Sequence, residues 1–348
     1  MKRITYISSF ARPMDSDEID ELGRASSRNN RTRGVTGMLL CVHGLFFQII
    51  EGGEQDVAEL FQTIKEDPRH QDVLCLKTEL DVTERLFPKW SMHTVNLEKS
   101  GDKVLQAVRV LLQNIGESHR IIEKYTQTSV IKILMQGINP LTVPVQRTDK
   151  IIFFGDIVGF SSLSEAFPVE EVADVVCRFL EVCSSTIVSH GGEVAKYIGD
   201  CVMAHFDPSQ ADDALQASLD ILHELERLRR QAGECHLLKF LYCGIGLSQG
   251  HVIQGNIGSS IKMDYTILGD AVNTSSRLES LTRTLGKSLV FTHLIKNGTQ
   301  KPWRFVSCGQ YQLKGKETEC DVYTLNEPIV SEIKTSQEIN QQIRTVCV

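Results

Sequence analysis

The chain has 348 residues, of which 41% are hydrophobic and 23% charged. At about 150 residues per domain this length suggests two or three folded domains, and the composition excludes a small stapled scaffold, a fibrous repeat and wholesale disorder. Lys and Arg total 37 against 44 Asp and Glu, a net charge of −7, which excludes a surface built as a whole to grip nucleic acid or anionic lipid.

An alternating run over Arg3–Ser8 predicts a first strand, followed by a polar helix over about Ser16–Asn29 with Asp15 or Ser16 as N-cap. Two apolar runs, Val35–Val42 and Leu45–Ile50, flank His43-Gly44 and read as a hairpin. A second helix (Gln55–Lys65) and strands at Val73–Leu80 and Ser91–Leu97 complete a β-α-β-β-α-β order with one extra strand, a ferredoxin-like α+β domain over residues 1–98.

Residues 99–144 read as connecting helices and a linker. Val104, Val108, Leu111 and Ile115 form a short heptad-like stripe, too short for an isolated coil but suited to a seam between two copies or to packing on its own domain. A second helix is expected from Ser118 to Met135, ending at Gly137, before the extended Asn139–Pro144.

From 145 to 326 a second α/β domain is expected. Its strands are placed at Ile151–Phe154, Glu193–Ile198, Val202–Phe206, Phe240–Ser248, Val252–Asn256, Ser288–Phe291 and Tyr323–Leu325, and its helices at Glu170–Ser189, Gln210–Arg230 and Ala271–Leu285. The polar segment 327–348 reads as a frayed tail. The ten cysteines show no C-x-x-C spacing and mostly sit in apolar stretches, which favours buried free thiols in a reducing compartment over disulfides or zinc. No run of about 18 apolar residues marks a membrane span, and no apolar segment follows the basic start Met1-Lys2-Arg3, so a cytoplasmic protein is expected.

Three segments carry chemistry. Phe153-Phe154-Gly155-Asp156-Ile157 puts a carboxylate where an apolar strand ends, and Tyr197-Ile198-Gly199-Asp200 puts another in a hairpin turn. Either alone fits an N-cap or ordinary turn chemistry. Two carboxylates on neighbouring strand ends also suit a hard divalent cation that binds substrate phosphates. In the third, Leu268-Gly269-Asp270-Ala271-Val272-Asn273-Thr274-Ser275-Ser276-Arg277, Asp270 is the expected N-cap, and Asn273 and Arg277 share one helix face near an end that favours anions.

Together, in this order, these segments resemble the catalytic domain of the class III nucleotidyl cyclases. The resemblance implies metal ligation by Asp156 and Asp200, transition-state contacts from Asn273 and Arg277, base selection by Lys196 and Thr266, and a triphosphate contact from Lys314. It implies ATP as substrate, cyclic AMP and pyrophosphate as products, two Mg²⁺ ions (Mn²⁺ as the alternative), and a homodimer whose two sites are shared between chains. Lys196, a donor only, suits adenine N1, and the Thr266 hydroxyl can accept from the exocyclic amine. Thr266 stands where an aspartate is more common. A guanylyl cyclase, or a catalytically weak nucleotide-binding dimer, is the alternative.

In the first domain, Gln48 lies in so apolar a strand that its amide must find partners, and Tyr6 reads as a core aromatic. With Asn29-Asn30-Arg31, Gly44-Leu45-Phe46-Phe47-Gln48 and Trp90-Ser91-Met92, residues 1–98 resemble the BLUF family of flavin-based blue-light receptors. That resemblance implies a flavin (FAD, with FMN as the alternative) bound by Tyr6, Asn30, Gln48, Asp67 and Arg69, and a photoswitch made of Tyr6, Gln48, Trp90 and Met92. The joined pattern is similar to the photoactivated adenylyl cyclases of cyanobacterial type.

Overall fold

The computed structural model describes residues 1–42, 44–97, 103–136, 138–233, 236–259, 261–316 and 318–346. The chain forms two compact units, Met1–Val143 and Pro144–Val348. The expected connecting helices therefore pack within the first unit, and segment 327–348 within the second.

The first unit runs β1 (Lys2–Phe10), α1 (Ser16–Thr32), β2 (Thr36–Val42), β3 (Leu45–Gly52), α2 (Glu54–Lys65), β4 (His70–Glu79), β5 (His93–Asn96), α3 (Lys103–Tyr125) and α4 (Thr128–Met135). Its sheet has the order β4-β1-β3-β2-β5. The first four strands pair antiparallel and β5 joins β2 in parallel, the ferredoxin-like order with one edge strand added. Asp15 caps α1 in a reciprocal box with Glu18, satisfying backbone donors that the first helical turn leaves free. Gly44, past the end of β2, takes a left-handed φ of 74°, as a tight hairpin requires; His43 lies outside the described residues.

Strand alternation splits the side chains between two faces. Ile4, Tyr6, Leu39, Phe46 and Ile50 face α1 and α2, meeting Ile19, Leu22, Val57 and Phe61. Ile7, Leu40, Val42, Leu45 and Leu74 face Val108 and Leu112 of α3. Each such aliphatic or aromatic side chain, fully buried, contributes about 1.5–3 kcal/mol relative to exposure. The expected stripe on α3 is therefore divided: Val108 packs on the sheet, while Leu111 and Ile115 are exposed at 61% and 40%. The side chain of Val104 lies outside the described residues, as does Gly137. Ser118 sits mid-helix, because α3 continues to Tyr125 and the break falls at Thr126-Gln127.

The second unit runs β6 (Gln146–Ile157), α5 (Phe160–Ala166), α6 (Val169–Ser189), β7 (Glu193–Ile198), β8 (Cys201–Phe206), α7 (Ala211–Gln231), β9 (Cys243–Gly258), β10 (Met263–Leu268), α8 (Asp270–Leu285), β11 (Leu289–Thr292), α9 (His293–Gly298), β12 (Phe305–Tyr311), β13 (Cys320–Leu325) and α10 (Ser336–Val346). The strand order is β12-β13-β11-β9-β6-β8-β7, with β10 paired to β9. The antiparallel stretch β9-β6-β8-β7 repeats the strand order of the first unit. Helices α6 and α7 bury Phe179, Leu222 and Leu225 against one sheet face with Phe153, Phe206 and Leu247.

Across the other face lies α8. Ser275 Oγ reaches the carbonyls of Ile152 at 2.9 Å and Gly246 at 2.7 Å. A Cβ on Gly246 would lie 2.4 Å from backbone atoms of Ser275 and Glu279, so helix and sheet meet backbone to backbone. Two expectations are corrected here. Residues 243–258 supply one long strand rather than two, because β9 pairs with β6 straight through Gln249-Gly250-His251, and the expected strand start at Phe240 is instead a 3-10 turn, Leu237–Phe240. The segment 327–348 is not a frayed tail in its described part: Ile329, Val330, Ile339 and Ile343 are buried in the main core.

Candidate functional site

In the first unit, cross-strand register makes Tyr6 and Gln48 direct neighbours on β1 and β3. Both are buried, and the Tyr6 hydroxyl donates to Gln48 Oε1. Burial, with the nearby Asp67 charge, holds the Tyr6 phenol well above its ordinary pKa, so it remains a protonated donor. Gln48 Nε2 meets Met92 Sδ at 3.5 Å, a weak acceptor for an amide with two donors to satisfy. Among the described residues this amide has no strong acceptor on its nitrogen, and the oxygen and nitrogen edge of a flavin would supply one. The residues present fit that group.

Asn30 is buried on α1 and donates to the Ser91 carbonyl at 3.0 Å, while Ser27 and Ser91 hydroxyls bond at 3.0 Å. Both bonds tie Ser91, the residue before Met92, to α1, and Met92 itself reaches Gln48. Trp90 stands apart: it is 42% exposed and stacks on His93 and Phe87 at 4.5 and 5.4 Å. Asp67 and Arg69 pair with each other on the loop before β4, and that partner lowers the Asp67 pKa. Glu51, fully buried at the end of β3, was not anticipated. It accepts from Arg3 Nε at 2.9 Å and from the backbone of Leu86 and Phe87 at 3.0 and 2.7 Å, and so fixes the loop leading to Trp90. His70, bonded to Ser8 Oγ at 2.8 Å, has its pKa lowered to about 4 by burial.

In the second unit, Asp156 lies at the end of β6, and Asp200 in the β7–β8 turn, where Gly199 takes φ 64°. They line one cavity of about 300 Å³ with Gly159, Ser161, Arg283 and Ser336. Asp200 Oδ2 is buried with no hydrogen-bond partner, and burial together with the Asp156 carboxylate raises the Asp200 pKa to about 7. An orphaned carboxylate oxygen beside a second carboxylate is a donor set that a hard divalent cation satisfies. The residues present fit such an ion.

The remaining expected residues come from β7, β10, α8 and the β12–β13 connection. Lys196 donates to Asp264 Oδ2 at 2.7 Å. Asp264 lies two residues before the buried Thr266 on the same strand, β10, and therefore on the same face. Asn273 is exposed on α8, one turn from Arg277. The Arg277 guanidinium comes within 3.4 Å of where a Cβ on Gly315 would sit, which brings the exposed Lys314 turn beside it. Lys316 binds Asp270 Oδ2 at 2.7 Å. The N-cap of α8 is Gly269, not Asp270, because the Asp270 side chain turns to Lys316. Among the described residues, Asn273 and Arg277 do not line the Asp156–Asp200 cavity.

Three further residues escaped the sequence reading: Asp264, Glu279 and Arg283. Arg283 donates to Asp156 Oδ2 at 2.9 Å and pairs with Glu279 at 2.7 Å. The i, i+4 spacing of Glu279 and Arg283 was a visible signal; their link to Asp156 was not, since it depends on where α8 crosses the sheet. Among the described residues no helix is long and apolar enough to cross a membrane.

Residues 1–93 match the family described as sensors of blue-light using FAD, and residues 143–327 match the adenylate and guanylate cyclase catalytic domain. Among solved structures, the chain is similar to a bacterial light-regulated adenylyl cyclase at 47% identity and TM-score 0.92, over 99% of both chains. Among curated relatives, the alpha and beta subunits of the photoactivated adenylate cyclase of Euglena gracilis are each 30% identical over 94% of this chain. The chain spans 39% of the beta subunit and 33% of the alpha subunit.

Proposed function

The chain belongs to the family of light-regulated adenylyl cyclases, in which a BLUF unit precedes an adenylate and guanylate cyclase catalytic domain, and from that premise we propose that it converts ATP to 3′,5′-cyclic AMP and pyrophosphate under the control of blue light. The observation that carries the reading is the convergence of Asp156 and Asp200 on one cavity with an unpartnered carboxylate oxygen.

Two divalent cations, Mg²⁺ or Mn²⁺, would be held by Asp156 and Asp200 and would supply Lewis-acid stabilisation of the ribose 3′-oxygen and the phosphates. The 3′-oxygen bonds to the α-phosphorus as the bond to the bridging oxygen breaks, so no protein nucleophile is needed. Arg277 offers a guanidinium to charge developing on the α-phosphate, and Asn273 can hydrogen-bond the ribose. Lys314, carried on the turn beside Arg277, meets the leaving phosphates as a point charge. Lys196 donates to adenine N1, its ammonium oriented by Asp264, and Thr266 accepts from the exocyclic amine. Among the described residues Asn273 and Arg277 do not line the cavity holding the aspartates of their own chain, which supports a homodimer in which two copies complete each other's sites.

In the first unit Tyr6, Asn30 and Gln48 would hold a flavin, FAD in preference to FMN, which would supply blue-light absorption and an electron-accepting excited state. Tyr6 would be its electron and proton donor, with the phenolic proton directed at Gln48 Oε1. Gln48, whose amide can present donor or acceptor to the same neighbour, then reverses its hydrogen bonds and its contact with Met92. The change passes along the chain through β5, α3 and α4.

The test is ATP and GTP turnover by the purified full chain, dark and under blue light. Cyclic AMP as main product, rising in light, is expected, and Tyr6→Phe removes the light dependence. Cyclic GMP as main product, or turnover indifferent to light, overturns the reading.

A further inference from the structure

The Asp156–Asp200 cavity already contains a cation from the chain itself. The Arg283 guanidinium uses one terminal nitrogen on Asp156, at 2.9 Å, and the other on Glu279, at 2.7 Å. The Asp156 contact is a hydrogen bond, whereas the Glu279 contact is a close ion pair, since Glu279 Oε1 accepts no hydrogen bond among the described residues; charge at both terminal nitrogens still restricts the guanidinium more than one contact would.

The second anchor cannot follow it away. Glu279 is 5% exposed and lies on α8 where that helix meets β9; a Cβ on Gly244 would come within 2.8 Å of its Oε1, and one on Gly246 within 2.4 Å of its backbone nitrogen. Arg283 is 25% exposed through its side chain and lines the cavity. It lies six residues after Arg277 on α8, roughly a third of a turn round the helix from it. The helix thus carries Arg277 on one side and the counter-charge of Asp156 on another.

We propose that Arg283 is the resident cation of the Asp156–Asp200 pair: anchored by Glu279, it neutralises Asp156 before metal arrives and sets how tightly the pair takes a divalent cation. This deepens, and rests on, the reading of Asp156 and Asp200 as metal ligands. Asp156 and Glu279 share the one guanidinium, while Asp200 lines the same cavity, so Arg283 offsets part of the negative charge that attracts a divalent ion. Without Arg283 the site carries one more uncompensated negative charge and loses a repulsive neighbour for the incoming ion. Arg283 is a positioning residue, acting through Asp156 rather than on substrate.

The experiment is Mn²⁺ titration of the full chain in the dark, without nucleotide, followed by the paramagnetic resonance signal of free Mn²⁺. Arg283→Gln is expected to tighten binding about tenfold, while Arg283→Lys, which keeps the charge, stays within about twofold of the parent. Glu279→Gln, which removes a negative charge but leaves Arg283 on Asp156, is expected to weaken it. Asp156→Asn is expected to abolish it. Unchanged or weaker binding by Arg283→Gln, with binding lost in Asp156→Asn, overturns the role of Arg283 and leaves the metal site standing. Undiminished binding by Asp156→Asn overturns the metal site itself. Where Arg283→Gln does not fold, Glu279→Gln decides: tighter or equal binding by that variant also overturns the proposal.

Discussion

Both units thread their strands in the same order, β4-β1-β3-β2 in one and β9-β6-β8-β7 in the other, yet they place their functional groups at different points of that scaffold. The BLUF unit puts Tyr6 and Gln48 in the middle of adjacent strands, opposite one another and buried. The catalytic unit puts Asp156 and Asp200 at strand ends, beside a cavity. A mid-sheet position suits neutral groups, whose hydrogen bonds count for more in a low dielectric. A strand end suits charge, because loops leave space for ions and phosphates. On the proposed assignments, one strand order hosts a neutral switch in one unit and an ionic reaction centre in the other, according to how far along the strand the chemistry is set.

Replacing Asp200 is the sharpest way to break this contrast. Asp200→Asn should lower cyclic AMP formation by at least about 10²- to 10³-fold, the scale of losing a transition-state charge stabiliser, while the flavin spectrum and its light response persist. Retained turnover would mean that the strand-end carboxylates are not the reaction centre.

A smaller effect concerns the extent of the catalytic core. Ile339→Ala on α10 should cost about 2–5 kcal/mol by opening a cavity in the main core, seen as a lower denaturant midpoint for the second unit alone. A shift within experimental error would place α10 outside the cooperative core.

The smallest effect is a difference in slope with pH. His70 has a folded pKa of about 4, below the roughly 6.5 of an unfolded histidine. The unfolded chain takes the proton first, so the BLUF unit loses up to about 3 kcal/mol as pH falls from about 6.5 to 4. Asp200 and Glu279 are raised to about 7, above unfolded carboxylates. Their contribution in metal-free protein is complete at low pH and is lost as pH rises through about 7. Denaturant midpoints of the two transitions, followed between pH 4.5 and 7.5, should move in opposite directions from these groups. His70→Gln and Asp200→Asn should each flatten their own unit's slope.

Much of this architecture was legible in the sequence because it rests on local signals. The period-2 runs around Tyr6, Gln48 and Phe153 gave strands, and the carboxylates following apolar runs gave Asp156 and Asp200. What escaped depends on distant partners. Segment 327–348 is polar in composition, and its few apolar residues bury only because distant helices offer a surface, α7 to the turn with Ile329 and Val330 and α5 to the helix with Ile339 and Ile343. Strand β9 read as two because Gly250 interrupts its apolar alternation, whereas pairing with β6 carries it through. Trp90 and Met92 read as one pair, but only Met92 reaches Gln48; Trp90 turns to Phe87 and His93.

The glycines under α8 have a mechanical consequence. At Gly246 the nearest atoms of α8 are the backbone of Ser275 and Glu279, with no side chain between helix and strand to compress or rearrange. Side chains absorb small displacements by changing rotamer, but a contact of backbone on backbone has no such compliance. Helix α8 and strand β9 should accordingly behave as one stiff plate, so that a push on either end arrives at Asn273, Arg277 and Arg283 together and undamped.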